Sequence, residues 1–103
     1  MEVYFAPRDD VPEVLTRSRL LQLMQARGLE VVPDHMEQHP PTGATLWTLR
    51  IGGDNLRITF QERHGLLVFA TIEHSMFGAS ELPDKVCEAL ESVGWQADNE
   101  NVG

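Results

Sequence analysis

The sequence predicts an α+β domain. It consists of an antiparallel β-meander of three to four strands, flanked by an N-terminal and a C-terminal helix packed on one face. Three observations predict it. From Thr45 to Glu73, apolar and polar residues alternate with the period of a half-buried strand, and the pattern is interrupted by two clusters of turn residues. Leu82, Val86, Ala89, Leu90 and Val93 recur at the spacing of one narrow helical face. A second helix-like segment precedes the alternating region and closes on Gly28.

In chain order, the first helix is signalled by Asp9-Asp10 as cap residues, with Pro12 in the first turn, where a missing N–H costs nothing. Its apolar residues are Val11, Val14, Leu15, Leu20, Leu21, Leu23 and Met24. They do not fall on one stripe, since Leu20 and Leu23 lie away from Val11 and Leu15. A helix apolar on more than one side is buried on more than one side, with Leu20 or Leu23 against the N-terminal Val3-Tyr4-Phe5 segment, or it contacts a partner. Leu29 to Val32 reads as a short strand broken by Pro33. Asp34 to Gly43, with Pro40 and Pro41, reads as a loop.

The meander has three strands, Leu46–Ile51, Leu56–Phe60 and Leu66–Ile72. Gly52-Gly53-Asp54-Asn55 and Gln61-Glu62-Arg63-His64-Gly65 connect them. In the third strand, Leu67 and Phe69 point one way, while Leu66, Val68, Ala70 and Ile72 point the other. Both of its faces are therefore expected to be covered. Met76-Phe77-Gly78-Ala79 is apolar and is expected to fold back on the core. Ser80 and Glu81 open the last helix, and Gly94 closes it. Residues 1–95 then form one domain, and 96–103 a polar tail.

Composition narrows the function. At 103 residues and 42% hydrophobic, the chain suits one domain with a modest core. The opening residues, with Glu2 at the second position and a short apolar run, do not read as a signal peptide, and no apolar run approaches membrane-span length. The single cysteine, Cys87, cannot form an intrachain disulfide, which predicts a cytoplasmic location.

The net charge is −8, which argues against binding a phosphate backbone. The charge is also segregated. Residues 80–103 hold Glu81, Asp84, Glu88, Glu91, Asp98 and Glu100 against Lys85 alone, whereas residues 11–27 hold Arg17, Arg19 and Arg27 against Glu13. Asp84, Glu88 and Glu91 form an acidic stripe opposite the apolar face of the last helix, which is either a solvated surface or a rail for a basic partner.

No residue set amounts to a catalytic or cofactor signature. His35 and His39, four apart, could share a metal only on a helix. Met36 stands where a catalytic Glu would be needed, and no third ligand is visible, so no metal site is expected. Cys87 lies among Asp84, Glu88 and Glu91, which raise a thiol pKa, so it reads as a small hydrophobe. The Gly52-Gly53 loop joins two strands, whereas phosphate loops lead into a helix. No cofactor is expected.

The order of helix, meander and amphipathic helix, on an acidic chain, resembles the first part of the secretion-chaperone α/β fold over roughly residues 11 to 93. Those chaperones continue with further strands and a final helix, which are missing here. The resemblance implies protein binding. The leading expectation is thus a non-enzymatic, chaperone- or adaptor-like module that engages a protein partner through apolar surface on the sheet or first helix. Leu20, Leu23, Asp84, Glu88 and Glu91 are the expected partner-binding residues. A symmetric homodimer through Leu20 and Leu23 is the simplest cover for the surplus apolar surface. The alternative is a phage-type DNA-mimicking inhibitor acting through the acidic helix. A small enzyme of unidentified class comes third.

Overall fold

The computed structural model describes residues 2–8, 14–39, 43–51, 56–73 and 82–97. Its elements in chain order are β1 (Glu2–Pro7), α1 (Arg17–Ala26), β2 (Val31–His39), β3 (Ala44–Ile51), β4 (Leu56–Arg63), β5 (Leu66–Glu73), α2 (Leu82–Ser92) and β6 (Trp95–Ala97). The strands form one six-stranded sheet in the order β2-β3-β4-β5-β1-β6, and every pairing is antiparallel.

The three expected meander strands are present as β3, β4 and β5. The expectation of three to four strands flanked by terminal helices is overturned. A strand precedes the first helix and another follows the second. β1 is not expected as a member of the sheet because its six residues carry little alternation and end on Pro7. It gains strand structure by lying between β5 and β6, with Tyr4 opposite Thr71 and Ala6 opposite Gln96. β6 is three residues long, and only its pairing with β1 defines it. Gln96 and Ala97 therefore belong to the sheet rather than to a tail.

β2 is the second correction. The segment expected to be a loop after Pro33 continues as strand to His39. Proline is tolerated because β2 is an edge strand, with one side free of ladder bonds. The register slips between Pro33, opposite Leu49, and His35, opposite Thr48, so Asp34 is an extra residue in a β-bulge.

A second bulge changes how β5 reads. Gln61 opposes Phe69 and Glu62 opposes Leu67, which leaves Val68 extra. Leu67 is thereby moved onto the face of Ala70 and Ile72, and all three are buried, while Phe69 lies on the opposite face and is half-buried. The β4–β5 turn is tighter than expected. It comprises only His64 and Gly65, with φ of 54° and 79°, the left-handed pair that suits a two-residue hairpin.

α1 starts later than the Asp9-Asp10 signal suggests. Thr16 caps it, its hydroxyl accepting from the Arg19 amide at 3.2 Å. Arg17, at the first helical position, is a cation where the helix dipole disfavours one. The Glu62 carboxylate, 2.8 Å from Arg17 Nε, offsets this. The helix closes at Gly28, with Leu29 N–H donating to the Met24 carbonyl. α2 ends as the sequence predicts, on Gly94 with φ 90°, whose N–H donates to the Glu91 carbonyl. The expectations for Asp9-Asp10, Pro12, the Gly52–Asn55 loop, the Met76–Ala79 connector, Ser80, Glu81 and the last residues fall outside the described residues.

One face of the sheet carries the core. Across the strands, Phe5, Ala70, Phe60 and Trp47 stand in one row, and Val3, Ile72, Ile58 and Leu49 in the next. Both helices contribute to the same cluster, α1 through Leu20, Leu23 and Met24, and α2 through Val86, Ala89 and Leu90. Phe60 lies at its centre, with Trp47 at 5.9 Å and Trp95 edge-on at 6.1 Å between ring centroids.

Candidate functional site: the open face of the sheet

Because side chains alternate along a strand, filling one face with core residues sends every second residue to the other face. The rows there are Tyr4, Thr71, Thr59, Thr48 and His35; then Phe69, Gln61, Leu46 and Glu37; then Glu73, Arg57, Arg50 and Val32. No described element packs against this face.

The side chains at its centre are half-buried. Tyr4 and Phe69 make a tilted ring pair at 5.9 Å. Thr48 and Thr59 share a hydroxyl hydrogen bond of 3.2 Å. Leu46 adds an apolar residue beside Gln61, which stands between it and Phe69. The charges at the margin are mixed, with Asp34 4.0 Å from Arg57 and His35 3.6 Å from Glu37. This is an amphipathic platform of aromatic, hydroxyl and methyl groups inside a charged rim. Aromatic side chains of this kind are enriched at protein interfaces in general.

The expected contact residues divide between the core and the surface. Leu20 is fully buried and Leu23 is 7% exposed, both inside the core cluster. They cannot meet a partner, and the case for a dimer through them is lost with their burial. The surplus apolar sides of α1 face the sheet and α2, not solvent. Asp84, Glu88 and Glu91 are exposed on α2, as an acidic stripe should be.

His35 and His39 lie on β2, where four residues of extended chain separate them by about 13 Å. That is too far to share an ion. Among the described residues, no cluster of three or more metal-ligating groups occurs. Cys87 is half-buried, and its thiol pKa is pushed up from 9.0 to about 11, first by burial and then by Glu91, Asp84 and Glu88. The thiol therefore stays protonated and weakly nucleophilic at neutral pH.

Sequence reasoning missed Tyr4, Phe69 and Leu46 as one surface. Tyr4 lies on a terminal strand not expected to join the sheet, and the β5 bulge reverses the face on which Leu67 lies. It also missed an apolar groove of about 200 Å3 walled by Val14 and Leu66, with Leu15, Leu67 and Trp95 at its base. The backbone of Leu67 donates to the Leu15 carbonyl there, at 2.9 Å. Only three-dimensional pairing brings those segments together.

No known protein family, curated protein or solved structure matches this chain. Among the described residues, no helix is long and apolar enough to cross a membrane.

Proposed function

We propose that this chain is a non-enzymatic protein-binding module, adaptor- or chaperone-like, that receives its partner on the open face of the sheet. One observation carries the reading. A six-stranded sheet has both helices on one side, and its other side presents Tyr4, Phe69 and Leu46 with no described element over them. The partner is a protein with a complementary apolar patch. The chain's net charge of −8 attracts a basic one from a distance, while the apolar contact supplies the lifetime. A cytoplasmic setting goes with this reading, on the strength of one unpaired cysteine.

A second reading is supported by the exposure of Asp84, Glu88 and Glu91 on α2. In it, the acidic helix imitates a phosphate backbone and blocks a nucleic-acid enzyme.

Capture from the native host, identified by mass spectrometry, separates the two. On the first reading, wild-type bait retains a protein at about 1 M salt, where the screening length is about 3 Å. Leu46→Lys with Phe69→Lys, verified as folded by circular dichroism, loses it. Asp84→Lys with Glu88→Lys and Glu91→Lys keeps it. The reverse pattern, with release by salt, favours the mimic. Retention by both variants would overturn the docking surface.

A further inference from the structure

We propose that Met36 is a peroxide-sensitive modification site whose sulfoxide is held by Arg17, so that oxidation fastens the edge strand β2 to the start of α1. This stands independently of the protein-binding reading.

The described residues hold three sulfur groups, Met24, Met36 and Cys87, in three different situations. Met24 is fully buried in the core. Cys87 is half-buried, and a thiol reacts with peroxide as the thiolate, which its surroundings disfavour. Met36 is 47% exposed on an edge strand, and a thioether needs no deprotonation to react. Among the described residues, exposure and chemistry thus select the same sulfur.

What sets Met36 apart from any exposed methionine is its neighbour. Arg17 Nη1 lies 3.6 Å from Met36 Sδ, while Nε of the same guanidinium is fixed 2.8 Å from the Glu62 carboxylate. Glu62 is 8% exposed and the Arg17 side chain 45%, so the carboxylate end of this anchor is sheltered while the guanidinium reaches toward solvent. The guanidinium is a planar fork of donors. One side is committed to the carboxylate, and the other is aimed at a weak acceptor.

The reaction balances without any group the protein must supply. The sulfur lone pair attacks an oxygen of a hydroperoxide, and the O–O bond breaks. The proton on the transferred oxygen passes to the departing oxygen, which leaves as water or an alcohol. Sulfur is oxidised by two electrons and the peroxide is reduced. The sulfoxide oxygen is a far stronger hydrogen-bond acceptor than the thioether, and Arg17 Nη1 is already in place to donate to it. A sulfoxide in a core is disruptive. At this site it gains a charge-assisted partner and bridges β2 to α1 and, through Glu62, to β4.

The test treats the folded chain with hydrogen peroxide, followed by peptide mass spectrometry and thermal melting of the oxidised and untreated protein. Met36 should gain one oxygen before Met24 or Cys87 does. The oxidised wild type should melt no lower than the reduced form. In Arg17→Lys the ammonium can keep Glu62 but cannot span both partners, so oxidation should lower its melting temperature relative to its own reduced form. Met36→Leu should show no shift in either direction.

Three results would each overturn the proposal. One is oxidation of Met24 or Cys87 ahead of Met36. Another is the same shift in wild type and Arg17→Lys. The third is a shift that persists in Met36→Leu.

Discussion

The two faces of the sheet are built from the same strands and differ in what they must satisfy. On the covered face, Phe60, Ile58, Leu49 and Ile72 are fully buried, and each displaces water from its neighbours. On the open face, the residues one step along the same strands are Thr59, Thr48, Thr71, Gln61 and Arg57, which retain access to solvent. Stability is therefore concentrated on one side, and chemical freedom on the other. A binding surface can sit on the open face because changing it costs the fold little. Leu20 and Leu23 could not serve as one, because α1 spends its apolar residues on the core.

The sharpest way to break this contrast is to charge the covered side. Leu20→Glu with Leu23→Glu places two carboxylates where side chains are 0% and 7% exposed. The expected outcome is a chain that does not fold, seen as loss of the cooperative unfolding transition. A folded, soluble double variant would show that α1 does not lie against the sheet, and it would restore the case for contacts through that helix.

Truncation comes next in size. Phe60→Ala removes a fully buried ring packed on Trp47 and Trp95, and it should cost about 3–5 kcal/mol in urea unfolding. Leu90→Ala in α2 should cost about 2–5 kcal/mol. Phe69→Ala removes a ring of the same size from the open face, where it is half-buried and pairs with Tyr4, and should cost about 1 kcal/mol. Equal costs for Phe60 and Phe69 would mean that the second face is covered after all.

The alkaline limb of stability gives a smaller effect. The Cys87 thiol titrates near 11 in the folded chain, against 9.0 ordinarily, because burial and Glu91, Asp84 and Glu88 oppose its ionisation. The folded value is the higher one, so the unfolded chain releases this proton first as pH rises. The contribution is fully present below pH 9.0 and is lost between there and about pH 11. Cys87→Ala should flatten the pH dependence of unfolding in that window. In the wild type, iodoacetamide should label the folded chain far more slowly than the unfolded one at pH 9. Equal labelling rates would place the thiol in solvent.

The contrast between the faces also marks what could be read from the sequence. Alternation in Trp47, Leu49 and Ile51, and in Leu56, Ile58 and Phe60, is a direct record of one buried face, and both segments are strands, the second running on to Arg63. The stripe from Leu82 to Val93 is such a record for α2, as Gly94 is for its end. β1 and β6 left no such record. Their strand state comes from partners 65 or more residues distant in sequence, as Tyr4 opposite Thr71 and Ala6 opposite Gln96 show. Bulges at Asp34 and Val68 shift one residue each, and a period-2 reading carried through them assigns everything beyond to the wrong face. The open-face platform depends on both the unforeseen pairing of β1 with β5 and a bulge, so it was not legible. The acidic stripe on α2 was, because one continuous helix carries it.

The smallest effect tests the open face most directly. Thr59 and Thr48 share a 3.2 Å hydroxyl contact at the middle of that face. In a sealed environment, Thr59→Val would leave the Thr48 hydroxyl without this partner, at a cost of about 1–3 kcal/mol. On a wet face, water takes the vacated position, and valine is as good a strand residue as threonine. The expected change in unfolding free energy is therefore within about 0.5 kcal/mol, the range of a surface substitution. The neighbouring Ile58→Thr makes the opposite exchange on the covered face, at a side chain with no solvent exposure. It should cost about 1–3 kcal/mol, because the new hydroxyl is buried among apolar groups. The difference between the two exchanges, one residue apart on β4, measures how unlike the faces are. A Thr59→Val cost above about 1 kcal/mol would mean that water does not reach the platform. The partner surface would then have to be sought elsewhere on the molecule.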